Sequence, residues 1–284
     1  MKYNFTNKDG LGKILLHKGE AEFERIFKQD KDEKKLYTIV WNNGVKQFVV
    51  IDEIQFEMGE HAILPIMMDQ TFHFEKPENI IAWQFNREFY CIVDHDAEVG
   101  CVGFVFYGPS PTMFIKPDVD FLEMLNRLLE VFEEELLSED EIKGEMLRML
   151  LVRLIIQITR IAKKQYINSK QLTDDKFNLI RQYNLLVEVH FKHQHQVQFY
   201  AGLLNKSPKT ISNIFTLYSK KTPLQVIQQR IVAEAKRLFL YTDRSVKEIA
   251  DELGFEDAAH FSKFFKKCTS QNPSEFKKIS QVIT

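Results

Sequence analysis

Two short clusters in this chain of 284 residues carry side chains suited to reading a base edge or holding a phosphate. The first is Lys209, Thr210, Ser212, Asn213 and Thr216. The second is Ala258, Ala259, His260, Ser262, Lys263, Lys266 and Lys267. Asparagine can pair bidentately with adenine, hydroxyls donate or accept, and small methyl-bearing side chains touch a thymine methyl. The lysines suit phosphates. Neither cluster contains a carboxylate. A helix face without acidic residues fits the major groove, which phosphates flank on both sides.

The elements that must position these clusters are written twice. Val197, Tyr200, Ala201 and Leu204 precede Ile211, Ile214, Phe215, Tyr218 and then Thr222-Pro223. Val246, Ile249, Ala250 and Leu253 precede Phe261, Phe264, Phe265, Cys268 and then Asn272-Pro273. The offset grows from 49 to 50 residues because the second copy holds one extra residue near Gly254-Phe255. Each copy predicts a short helix, a turn and a second helix. Both helices bury a stripe at helical spacing. Ser207-Pro208 and Asp257 are the expected caps of the second helices, and Ser245 with Glu248 forms a capping box on a first helix. Gly254 and Asn205 suit a left-handed stop after the first helices. Leu224, Ile227, Ile231, Ala235 and Leu238 predict one long helix between the copies. It would hold two recognition helices about one turn of duplex apart, roughly 34 Å. A helical interaction module is the plainer alternative, but two copies are too few for a solenoid.

Charge agrees with this. From Gln171 onward the chain has 17 Lys and Arg against 11 Asp and Glu, and the rest has 21 against 29. A basic end on an acidic body points toward nucleic acid. Three cysteines without CxxC spacing argue for a reducing compartment. Met1 to Lys8 lacks an apolar signal core. Met146 to Ile161 is too short and too charged to cross a bilayer. A cytoplasmic protein with no membrane partner is expected.

Segments at Val45–Val50, Ile54–Phe56, Ala62–Ile66, Thr71–Phe74, Ile80–Phe85, Phe89–Val93 and Val99–Tyr107 read as strands between recurring turns. Such spacing predicts a sandwich or barrel. Phe121 to Leu136 and Ile142 to Ile161 then carry helical apolar stripes, expected to cover each other, the β-region or a second copy. The expected division is a β-rich domain over 1–118, a helical hairpin for dimerisation over 119–165, a linker over 166–176 and a helical domain over 177–284.

Ile249-Ala250-Asp251-Glu252-Leu253-Gly254-Phe255, His260-Phe261-Ser262-Lys263-Phe264-Phe265-Lys266-Lys267 and Asn272-Pro273-Ser274-Glu275-Phe276 resemble the AraC/XylS family of transcription regulators. Arg230-Ile231 and Ala235-Lys236 are similar to its linker-helix residues. The match covers about 184–281. Lys220 and Ser270 stand where the family has glycine, and His260 and Lys263 where it has Tyr and Arg. Lysine lacks the bidentate geometry of arginine, so Lys263 is expected on backbone only. The resemblance implies an α+β multidomain protein with a cupin-like amino-terminal sensor barrel, a dimerisation segment and two helix-turn-helix units. The expected DNA-binding set is Lys209, Thr210, Ser212, Asn213, Thr216, Ala259, His260, Ser262, Lys263, Lys266 and Lys267. Promoter DNA, a second copy of the chain and RNA polymerase are the expected partners.

Other clusters read as structural. Gly59 and His61 lack the second histidine of a cupin metal site. His190, His193 and His195 fit a polar helix end, and Cys91 and Cys101 fit small buried side chains. No catalytic constellation or cofactor motif is present, so no enzyme and no cofactor is expected. An interior lined by Phe72, Phe74, Trp83, Phe85 and Phe104 would either take an apolar effector or form a filled core. The competing reading is a cupin-type binding protein or enzyme with a helical partner-docking tail.

Overall fold

The computed structural model describes residues 1–26, 36–68, 70–92, 104–107, 112–166, 174–219 and 221–282. The chain divides into two compact units. One holds the described residues to Phe106 and from Thr112 to Tyr166, and the other holds Tyr107 and those from Asp174 onward.

The first unit is built on nine strands: β1 (Lys2–Thr6), β2 (Lys13–Lys18), β3 (Glu24–Arg25), β4 (Tyr37–Asn42), β5 (Gln47–Ile51), β6 (Ile54–Met58), β7 (Ile63–Ile66), β8 (Phe72–Phe74) and β9 (Ile80–Phe85). They form two antiparallel sheets, ordered β1-β2-β9-β4-β7 and β3-β8-β5-β6. Val40, Leu64, Ile66, Ile80 and Ala82 of the first sheet pack on Val49, Ile51, Phe72 and Phe74 of the second. Helices α2 (Val119–Leu137) and α3 (Lys143–Tyr166) pack on each other, and α2 also meets β1. Phe132 of α2 approaches Trp83 of β9, their ring centres 5.9 Å apart. Every residue of β4 and β9 is therefore buried, since both faces of that sheet are covered.

Several expectations change. β1 to β4 were not among the expected strands. Phe89–Val93 is no strand where it is described. Asn86 there accepts from the amides of Lys13 and Phe89 and donates to the carbonyl of Leu11, which folds the chain into a turn. The apolar Phe89 and Tyr90 are buried in that turn rather than in a sheet. Phe104–Tyr107 is a helical turn, α1, rather than the end of a strand. The aromatic set does not line one interior. Phe72 and Phe74 face the space between the sheets, whereas Trp83 and Phe85 leave β9 on the opposite face. Alternation along the strand decides this: Ile80 and Ala82 point inward, so Trp83 and Phe85 cannot. Cys101 lies outside the described residues, as do 93 and 99–103 of the expected strands and 167–173 of the linker.

The two hairpin helices bury Phe121, Leu125, Leu128, Leu129, Phe132 and Leu136 on one side and Leu147, Leu151, Leu154, Ile155 and Ile158 on the other. Much of each apolar stripe is thus covered within the unit. Ile142, Met146 and Met149 form a separate exposed apolar line along the start of α3.

The second unit contains, among the described residues, α4 (Asp174–His190), α5 (Val197–Leu203), α6 (Pro208–Tyr218), α7 (Pro223–Tyr241), α8 (Val246–Glu252), α9 (Ala258–Thr269) and α10 (Pro273–Val282). One core joins all of them. It includes Tyr183, Tyr200, Ile211 and Phe215 beside Ile231, Leu238, Ile249, Phe261 and Phe265, with Phe276 packed against it.

Candidate nucleic-acid interface

Local chemistry sets both helix-turn-helix units. Ser207 accepts from the amide of Thr210 at the start of α6, and Pro208 occupies the first helical position, where its missing N–H costs nothing. Asp257 accepts from the amide of His260 at 2.6 Å to start α9. Thr222 with Gln225 and Ser245 with Glu248 make complete capping boxes for α7 and α8. Asn205 and Gly254 both adopt the left-handed conformation after the first helices, with φ of 53° and 72°. Ala201 and Ala250 are fully buried, where larger side chains would hold the crossing helices apart.

Against that scaffold the outer faces stand in solvent. Lys209, Thr210, Ser212, Asn213 and Thr216 are exposed on α6, and Ala259, His260, Lys263, Lys266 and Lys267 on α9. Ser262 is half-buried and donates to the carbonyl of Ala258 at 2.6 Å, so its hydroxyl is directed along the helix. Thr216 likewise donates to the carbonyl of Ser212 at 2.9 Å and presents its methyl outward. The hydroxyl of Thr210 meets that of Ser207 at 2.8 Å. Asn213 keeps its amide on an exposed face. The first helix therefore offers one amide and a lysine, and the second offers lysines around one imidazole.

One residue departs from the expected stripes. Cys268 is exposed rather than buried. The buried line of α9 runs through Phe261 and Phe265 in four-residue steps toward Thr269, which leaves Cys268 outside. Leu217, which the stripe of α6 leaves off its buried side, is 68% exposed and adds an apolar surface there. Ser270 takes the left-handed position at the end of α9, with φ of 63°. Lys220 lies outside the described residues.

Ion pairs tie α4 to the long helix between the copies. Arg230 donates to both carboxylate oxygens of Glu188, at 2.5 and 3.2 Å, and to Glu234 at 3.3 Å. Its guanidinium lies 3.9 Å from the ring centre of Phe191. Arg237 pairs with Glu234 at 2.5 and 3.1 Å. Burial raises the Glu234 pKa, but Arg237 and Arg230 outweigh it and hold the carboxyl down at about 2. Burial pushes the hydroxyls of Tyr183 and Tyr200 well up, so both stay protonated donors, to the carbonyls of Pro223 and Gln194.

No helix is long and apolar enough to cross a membrane among the described residues. No group of metal-ligating side chains gathers among them either. His190, His193 and His195 do not converge. The His195 ring lies tilted against Phe255, their centres 4.8 Å apart, and burial lowers its pKa.

Residues 200–279 match the model of a helix-turn-helix domain. Over 71 residues the chain is 32% identical to the arabinose operon regulatory protein of Escherichia coli, covering 25% of this chain and 24% of that one. Over 115 residues it is 27% identical to the bifunctional transcriptional activator/DNA repair enzyme AdaA of Bacillus subtilis, covering 40% and 53%. The chain spans about half or less of the length of these curated relatives. Among solved structures, ToxT from Vibrio cholerae aligns over 97% of this chain and 95% of its own at 15% identity, with a TM-score of 0.44. The matched segment holds both capped units and the helix between them, and the carboxy-terminal part of this chain is a helix-turn-helix domain of the AraC family of transcription regulators.

Proposed function

We propose that the chain is a sequence-specific transcription regulator that sets α6 and α9 into successive major grooves of promoter DNA. The observation that carries this is the pair of capped helices in one compact unit, each with an acid-free face turned to solvent. Asn213 reads a base, while Lys209, Lys263, Lys266 and Lys267 hold phosphates. His260 and Ala259 line the groove on the second helix, with Ser262 behind them. The first unit is the regulatory domain. Its two-sheet sandwich supports a cupin-like sensor, and its effector is a small molecule of unassigned chemistry. The exposed line of Ile142, Met146 and Met149 supports self-association through the hairpin of 119–165. The protein works in the cytoplasm as a homodimer that meets RNA polymerase at the promoter, and it performs no catalysis of its own. The division at 118, 165 and 176 belongs to the same reading.

Selection from a random duplex library with the full chain tests it. Enrichment of two short conserved blocks separated by about one helical turn is the expected result. Recovery of no sequence preference at any salt concentration would overturn it.

A further inference from the structure

The extra residue in the second copy stands at a turn that touches the chain leading into the first helix-turn-helix. Gly254 sits so close to the chain after α4 that a Cβ on it would lie 2.3 Å from the carbonyl oxygen of Lys192. Beside it, the ring of Phe255 packs at a tilt against His195, which precedes α5. Lys192 also reaches the second helix-turn-helix with its ammonium, which pairs with Glu252 at 2.8 Å. Arg244, in the connection before α8, pairs with the same carboxylate.

Glu252 is the last residue of α8. A carboxylate there faces the negative end of the helix dipole, so α8 itself gains nothing from it. Its side chain is only 23% exposed, and its two cations come from outside the helix. The two helix-turn-helix motifs share the core built around the long helix α7, and the contact of Glu252 with Lys192 adds a tie between them at the surface.

Given the DNA-binding reading above, we propose that Glu252 is a positioning residue. Held by Lys192 and Arg244, it fixes the spacing and phase of the two recognition helices. The clasp works on geometry rather than on contact with DNA. Its loss therefore broadens the set of separations the protein accepts and leaves each base preference unchanged.

The test is duplex selection with the full-length protein and E252Q, K192M and R244Q variants, reading the distribution of spacings between the two enriched blocks. Wild type is expected to favour one spacing sharply. In E252Q the preference over spacings one base pair longer or shorter is expected to fall by about threefold to tenfold, with both block sequences retained. R244Q, which removes a half-exposed cation, checks the same effect where folding is least at risk. E252D should recover part of the preference. An unchanged spacing distribution in E252Q and K192M, with circular dichroism matching wild type, overturns the proposal. Failure of wild type to enrich any sequence overturns the DNA-binding reading instead. Should E252Q not fold, R244Q alone decides, and an unchanged distribution there counts against the clasp.

Discussion

Arg230 and Glu188 join the long central helix to α4 through two hydrogen bonds, with the carboxylate side chain only 5% exposed. Glu234 and the ring of Phe191 complete the surroundings of the guanidinium. A charge so enclosed is tolerable only while its partner is present.

Removing one partner should therefore cost more than removing both. Arg230→Met is expected to destabilise the helical unit by about 3 kcal/mol, because the buried Glu188 loses both hydrogen bonds from the guanidinium, while Glu234 keeps Arg237. The double change Arg230→Met with Glu188→Leu should recover much of that loss. Denaturant midpoints of the full chain, followed by helical signal, would show it. A single change no worse than the double would sink the account.

Acid should weaken the same region. Glu234 is held below its ordinary carboxylate range, at about 2 in the folded state. The ionised form thus contributes stability that is fully present above the unfolded value near 4.5 and drains away as pH falls toward 2. Glu234→Gln should flatten the stability profile across that window while lowering stability at neutral pH. An unaltered slope between pH 4.5 and 2 would assign the acid sensitivity elsewhere.

The recognition helices should respond differently to substitution. Asn213→Ala is expected to relax preference at one base position, by roughly 1–3 kcal/mol of discrimination. Lys266→Ala should weaken binding to all sequences and lower the salt slope by about one. Fluorescence anisotropy over a salt series, on selected and scrambled duplexes, separates the two. Equal losses on both duplexes for Asn213→Ala would deny it a reading role.

Gly254 should tolerate no side chain. Its φ of 72° and its approach to the Lys192 carbonyl both act against a Cβ. Gly254→Ala is expected to cost more than about 1 kcal/mol, whereas Ser245→Ala, which loses a cap on the same helix, should cost about 1 kcal/mol. Thermal midpoints of the two variants give the comparison.

Self-association should depend on the exposed line of α3. Met149→Glu is expected to shift sedimentation from dimer to monomer without loss of helix, since Met149 is 67% exposed and makes no part of the core. A wild-type chain that sediments as a monomer at micromolar concentration removes the basis for this.

The helical half was legible because its signals are local. Ser207-Pro208, Thr222-Pro223, Ser245 with Glu248, Asp257, Asn205 and Gly254 each act within one turn of chain, and period alone separates Ile211 and Phe215 from Ser212 and Asn213. The β-rich half was legible only in outline. β4 and β9 are covered on both faces, so neither shows a polar face to mark its register. Buried Phe89 and Tyr90 imitate a strand, yet Asn86 turns the chain there through three side-chain hydrogen bonds.

The sequence by itself determined the duplicated units, their caps, their buried stripes and the acid-free faces of α6 and α9, because these follow from residue type and helical period. Only the tertiary structure decided what Glu252, Glu188 and the extra turn residue do. Their partners, Lys192 and Arg230, lie 60 and 42 residues away. No local rule pairs charges over such separations. Packing around a shared core brings them together.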